Sequence, residues 1–170
     1  AFPAVRERGP VALVNLCSAT PTAPGLASGR LGREQLGRLE AILERLGREG
    51  LFRVIMIHHP PTPGIVSKRK ALEDAPALSA LLKTHGAELV LHGHAHEAAV
   101  STMPGPAGAI PVLGVPSASA VGHGRHPGAR WHGIEIDPTQ RRIRVIARGL
   151  SAQTGAFEPL GSYVLDGPQG

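Results

Sequence analysis

Cysteine, aromatic residues, aspartate and asparagine are all scarce in this 170-residue chain, and each scarcity excludes something. The single cysteine, Cys17, rules out an intramolecular disulfide and any cysteine-based zinc site. Aromatics make up only 3% of the chain, so its core must be built from Leu, Val, Ile and Ala. Three aspartates (Asp74, Asp137, Asp166) and one asparagine (Asn15) leave little material for a carboxylate-rich site. No apolar run approaches the roughly 20 residues a membrane-spanning helix needs. The opening stretch "AFPAVRERGP" has neither the charged nor the apolar region of a signal peptide. The expected setting is the cytoplasm, with no membrane partner.

Arginine, by contrast, is plentiful. It supplies most of the 18 basic residues and carries the net charge to +5, alongside a heavy content of Ala, Gly and Pro. That combination reads as compositional, the mark of a GC-rich coding sequence. The basic residues are scattered apart from "SKRK" (67–70) and "RRIR" (141–144). No aromatic side chains interleave with them for base stacking, which argues for a solvated basic surface and against a nucleic-acid partner. With 170 residues and 42% hydrophobic content, a single domain with a real core is expected.

The apolar pattern then sets the elements. "GPVALVNLCS" (9–18) predicts a buried strand that runs into a Pro/Thr/Gly loop ending near Gly29. Over 32–50, Leu36, Leu39, Leu43 and Leu46 recur at helical spacing with Ile42 widening the stripe, and Gly50 supplies the stop. "FRVIMIH" (52–58) reads as a continuous apolar strand, the pattern of a sheet covered on both faces. Prolines and a glycine exclude regular structure from "HPPTPGIVSKRK" (59–70). A second helix is predicted over Ala75–His85 and another buried strand over 87–92. Strand, helix, strand, helix, strand argues for a parallel βαβαβ sheet. Beyond it, "AAVSTM", "AIPVLGV", "ARWHGIEID" and "RRIRVIARGL" predict short antiparallel strands between Pro/Gly turns.

Two adjacent strands in this scheme end in histidine: "VIMIHHPP" in His58 and His59, "LVLHGHAH" in His92, His94 and His96. Ligands of open α/β sheets gather at the carboxyl ends of the strands, so both clusters fall on the same edge. Neutral imidazole suits Zn, Fe, Ni or Cu, and Mn in mixed sites. Gly93 would allow the sharp turn that aims His94 and His96 at one centre. A polar loop is the bland reading of either cluster alone, and the two together favour a metal. The His-x-His-x-Asp-His pattern of metallo-β-lactamase-like hydrolases does not fit, because His96 stands where it needs Asp and Glu97 where it needs His.

"VIMIHHPPTPG" followed by "AELVLHGHAH" resembles the last two metal-binding blocks of the calcineurin-like metallophosphoesterases, within them the bacterial cyclic-nucleotide-phosphodiesterase-like branch. "GRLGREQLGRLEAIL" and "PVLGVPSAS" fall where those proteins carry similar segments. The resemblance implies that His58 and His94 bind a second metal and His96 a first. His59 fills the variable position of the His-x-Pro block and would lie behind the ligands, and His92 would orient or pack. Lys68, Arg69 and Lys70 on the following loop could meet substrate phosphate or be solvated. His123, His126 and His132 could line a substrate mouth or lie on the surface, and His85 needs no role beyond its helix end.

The earlier blocks of that family are absent: Asp-x-His, Gly-Asp with its bridging carboxylate, and Gly-Asn-His-Asp or Glu. The expectation is therefore a single partial domain over 1–170, the C-terminal half of a four-layer α/β/β/α sandwich. Its parent would hydrolyse phosphate monoesters or diesters with two divalent ions (Mn, Fe or Zn). This chain would hold at most one ion and need its missing N-terminal half. The alternative is a non-catalytic module with one histidine-held ion, completed by Asn15 or Glu97.

Overall fold

The computed structural model describes residues 1–122 and 128–168. Four strands form its parallel centre: β2 (Val11–Asn15), β3 (Phe52–Ile57), β4 (Leu89–His92) and β6 (Gly108–Gly114). Antiparallel strands close the edges, β1 (Ala4–Arg8) on β2 and β5 (Ala99–Gly105) on β6. The helices α1 (Arg33–Arg48) and α2 (Ala75–His85) connect β2 to β3 and β3 to β4. The parallel βαβαβ expected from the sequence is thus the heart of the molecule.

Side-chain alternation gives each face of this sheet its own core. Ala12, Val14, Ile55, Ile57, Val90, Ile110 and Val112 point to the helices and meet Leu39, Leu43, Leu46, Leu78 and Leu82. Phe52, Val54, Leu89 and Leu113 point the other way. They meet Ile143 and Val145 of a separate antiparallel sheet, β7 (Arg130–Asp137), β8 (Arg142–Leu150) and β9 (Phe157–Asp166). The layers are therefore helix, sheet, sheet, and a strand covered on both faces needs apolar residues at successive positions.

The helix ends are fixed by neighbours as much as by their own sequence. Gly32 precedes α1 without a side-chain cap. Asp74 instead accepts from the backbone N–H groups of Leu31 (3.0 Å) and Gly32 (2.8 Å), tying the start of α1 to the start of α2. Buried Gln35 reaches from α1 to the end of β2, accepting from Cys17 N–H at 2.9 Å and donating to Cys17 C=O at 2.8 Å. Pro76 sits in the first turn of α2, where its missing N–H costs nothing, and Gly86 (φ 74°) follows its end.

Several details depart from the sequence reading. β6 joins the large sheet parallel to β4, where an antiparallel strand was expected. Residues 59–70 hold one short regular element, a 3-10 turn over Lys68–Lys70, which begins after the last proline of the segment. Arg53 interrupts the apolar run of β3, and its charge is met by Glu88 (2.8 Å), itself almost fully buried. Among the described residues no helix is long and apolar enough to cross a membrane.

Candidate metal centre

The carboxyl edge of β3 and β4 brings three histidines into contact. Because the strands are parallel and in register, Ile57 opposite His92, the loops leaving them diverge from one point. Gly93 N–H donates to His58 C=O at 3.1 Å and locks the two loop starts together. Above that link, His58 Nε2 and His94 Nδ1 are hydrogen-bonded at 3.0 Å, so one of them carries the proton. The His59 ring lies 4.5 Å from that of His94 and 5.0 Å from that of His58.

The turn is made by the histidines themselves. His94 (φ 64°) and His96 (φ 59°) both adopt left-handed backbone, and Gly93, expected to supply the turn, does not. Left-handed backbone is uncommon outside glycine and concentrates at functional sites. Two such residues within three positions make the segment from 93 to 96 the most strained stretch of the sheet edge.

His59 is the fixed member of the group. It is buried, with Nε2–H donating to Ala27 C=O at 3.1 Å. That bond requires the proton on Nε2 and leaves Nδ1 to accept from Ser18 Oγ–H at 2.8 Å. A Cβ on Gly29 would come within 2.2 Å of the ring, so the 25–29 loop closes on His59 only because position 29 is glycine. Burial lowers the His59 pKa and keeps the ring neutral. Ser18 was not singled out from sequence. The available signal was a hydroxyl residue just beyond β2, on the same sheet edge as the histidines.

His94 is pushed down to about 4, first by burial and then by the charges of His59, His58, Lys70 and His96. Its Nε2 is buried without a hydrogen-bond partner. His92 packs under the sheet edge, where its ring leaves no room for a side chain on Gly114. Its Nδ1–H donates to Gly93 C=O at 3.0 Å, Nε2 has no partner, and burial lowers its pKa. His96 is exposed and makes no hydrogen bond to the others.

The remaining candidates divide. Arg69 donates from Nε to Gly25 C=O at 3.1 Å and from Nη2 to the same oxygen, a structural role. Lys70 is close enough for its charge to act on His94, while the exposed Lys68 side chain makes no hydrogen bond or ion pair among the described residues. His85 pairs with Glu40 at 3.2 Å. His132 lies on β7, partly buried, with Nδ1 unpartnered and its pKa lowered by burial and by Arg130. His123 and His126 lie outside the described residues. Asn15 and Glu97 are exposed and do not bond to the histidines.

These positions bear on metal binding in two ways. Metal–nitrogen bonds of about 2.0–2.1 Å at about 90–109° put neighbouring ligand nitrogens about 2.9–3.4 Å apart. The 3.0 Å separation of His58 Nε2 and His94 Nδ1 therefore suits two corners of one ion. Among the described residues, however, no group of three or more His, Cys, Asp or Glu side chains is arranged to hold a metal. The aspartates lie elsewhere: Asp74 bonds at the helix starts, Asp137 accepts from the N–H groups of Thr139 and Gln140, and Asp166 sits at the end of β9 in the second sheet. The described residues do not fit a binuclear centre on their own.

No family profile matches the chain. It is 32% identical over 118 residues to a probable cyclic nucleotide phosphodiesterase of Synechococcus sp., covering 68% of this chain and 44% of that protein. The chain thus spans less than half the length of the curated relative it matches. It is similar in structure to a dimetal phosphatase from Danio rerio (TM-score 0.49, 17% identity, 81% of this chain and 39% of that one). It is also similar to a single mutant of Vps29 from Entamoeba histolytica (TM-score 0.39, 10% identity, 91% and 99%).

Proposed function

We propose that this chain, a relative of the calcineurin-like metallophosphoesterases, is part of a longer binuclear hydrolase that cleaves phosphate monoesters or diesters. The observation that carries the reading is the His58–His94 pair, two hydrogen-bonded imidazole nitrogens 3.0 Å apart at the carboxyl edge of a parallel sheet, whose shared proton an ion would displace. Two divalent ions, of Mn, Fe or Zn, would supply an activated hydroxide and a clamp on the phosphoryl oxygens. In that centre His58 and His94 would share one ion and His96 would serve the other. His59 would hold the pair in place through its bonds to Ser18 and Ala27. Carboxylate ligands would come from the remainder of the longer protein. The cytoplasm is the compartment we assign.

The alternative is a non-catalytic module with one histidine-held ion. It is favoured by the position of all three aspartates away from the histidine edge, two of them held by backbone N–H groups. Activity separates the two. The longer protein should hydrolyse a chromogenic phosphodiester in the presence of Mn²⁺. Changing His94 to Ala there should cost about 100-fold or more, since even residues behind the ligands of metal sites cost about 10–100-fold. Changing His85 to Ala should leave the rate nearly unchanged. The 170-residue chain alone should be inactive, and hydrolysis by it that His94→Ala abolishes would overturn the partial-site reading.

A further inference from the structure

Behind His59, whose Nε2 donates to Ala27 C=O, the chain leaves a cavity of about 370 Å³ between residues 25–27 and 67–70. Resting on the functional reading above, we propose that this cavity is an anion subsite that takes a phosphate group of the substrate. Lys70 and Ser67 are its ligands, and Arg69 is the clasp that holds it open.

The lining is Gly25, Leu26, Ala27, Ser67, Arg69 and Lys70, which includes two cations, a hydroxyl and no aromatic ring. It is therefore equipped to select charge and not a planar base. Arg69 spends its Nε and one Nη on Gly25 C=O, which pins the two walls together and leaves Lys70 as the free cation. Among the described residues no carboxylate forms an ion pair with it. Glu73 is turned away to Ser28 Oγ at 2.8 Å, and Asp74 to the N–H groups of Leu31 and Gly32. Ser67 C=O accepts from Lys70 N–H at 2.8 Å, so the tight turn over 67–70 keeps hydroxyl and ammonium on one short arc. A compact ammonium and a hydroxyl suit the oxygens of a phosphate.

The location ties this cavity to the site. Its wall at Ala27 is held by His59 Nε2, and the His59 ring lies 4.5 Å from that of His94. The ammonium of Lys70 is among the charges that act on His94. On this proposal a phosphoester at the histidine pair would extend past His59 and present a phosphate oxygen to Lys70.

The test is an amide-detected NMR titration of the metal-free 170-residue chain with inorganic phosphate and, separately, with phenyl phosphate. Both should shift Leu26, Ala27, Ser67 and Lys70 along one saturation curve. Lys70→Ala should weaken binding about fivefold, the order of one exposed charged contact. Lys83→Ala, an equal charge loss on the exposed side of α2, should leave it unchanged, and Lys70→Arg should retain most of it. Equal losses in the two alanine variants would reduce the effect to general surface charge and overturn the proposal. So would binding of inorganic phosphate but not of the ester, because the site would then serve free phosphate alone. In the longer protein, hydrolysis with an unchanged KM in Lys70→Ala would remove the subsite and leave the function. Phosphate binding here without hydrolysis there would do the reverse.

Discussion

His94 combines three properties that seldom meet in one residue: left-handed backbone, a depressed pKa and a buried nitrogen without a partner. Each is unfavourable for stability, and the neutral ring suits a ligand that binds through Nδ1, while the orphaned atom is the other ring nitrogen, Nε2. The backbone cost can be isolated by comparing two substitutions. Alanine and glycine both remove the ring and its bond to His58, but only glycine relieves the left-handed strain. In urea denaturation, His94→Gly should be more stable than His94→Ala by about 1 kcal/mol. Equal stabilities would mean that position 94 relaxes out of this conformation once the ring is gone. At this scale the sequence told that His58 and His94 meet, but not that His59 joins them while His96 stays exposed. His58 and His94 were legible because strand ends announce themselves through apolar runs. The turn was not, because a left-handed histidine has no local signature. Nor was the His59–Ser18–Ala27 arrangement, which joins residues up to 41 positions apart.

The elements are held at the opposite end of the sheet by a charged knot. Glu88, just before β4, accepts from Arg53 N–H (2.6 Å), Nε (3.0 Å) and Nη2 (2.8 Å), and from Arg141 Nη1 (3.1 Å). Arg53 Nη1 in turn donates to His85 C=O (2.7 Å) at the end of α2, and Arg141 lies in the turn between β7 and β8. One carboxylate thus joins the large sheet, a helix and the second sheet. Removing it leaves a largely buried guanidinium unpaired, so Glu88→Ala should cost about 3–5 kcal/mol. Glu88→Gln, which keeps some of the hydrogen bonds, should cost less. A loss under about 1 kcal/mol, the value of an exposed pair, would show that water replaces the carboxylate. What sequence could show of the elements followed burial. α1, β3 and α2 were readable because each carries an apolar stripe or run. β1 and β9 escaped because they are edge strands, mostly exposed, and neither alternates apolar with polar residues. The pairing of β6 with β4 escaped for another reason: direction is set by the β5–β6 hairpin, not by any residue within β6.

The molecule as a whole divides its labour between the two ends of one sheet, structural charge at the amino end and histidine at the carboxyl end. That division bounds how much metal it can hold. Among the described residues, every carboxylate with a fixed partner is committed away from His58, His94 and His96, and Glu73 and Asp74 secure the 28–32 loop. Among the described residues, the donors left at the carboxyl edge are His58 and His94, with exposed His96 and Glu97 close in sequence. Two ions roughly 4 Å apart need bridging oxygen ligands, and these imidazoles offer none. Elemental analysis of the 170-residue chain after dialysis against Zn²⁺ or Mn²⁺ should therefore give at most one ion per chain. Calorimetric titration should place that ion on the histidine pair. His58→Ala and His94→Ala should each abolish measurable binding, His96→Ala should weaken it, and His132→Ala on β7 should leave it unchanged. Two ions held per chain would mean that carboxylates assigned here to structure are recruited when metal arrives. In that event Glu73→Gln and Asp74→Asn would remove the second ion, and the division between a structural end and a metal-binding edge would have to be abandoned.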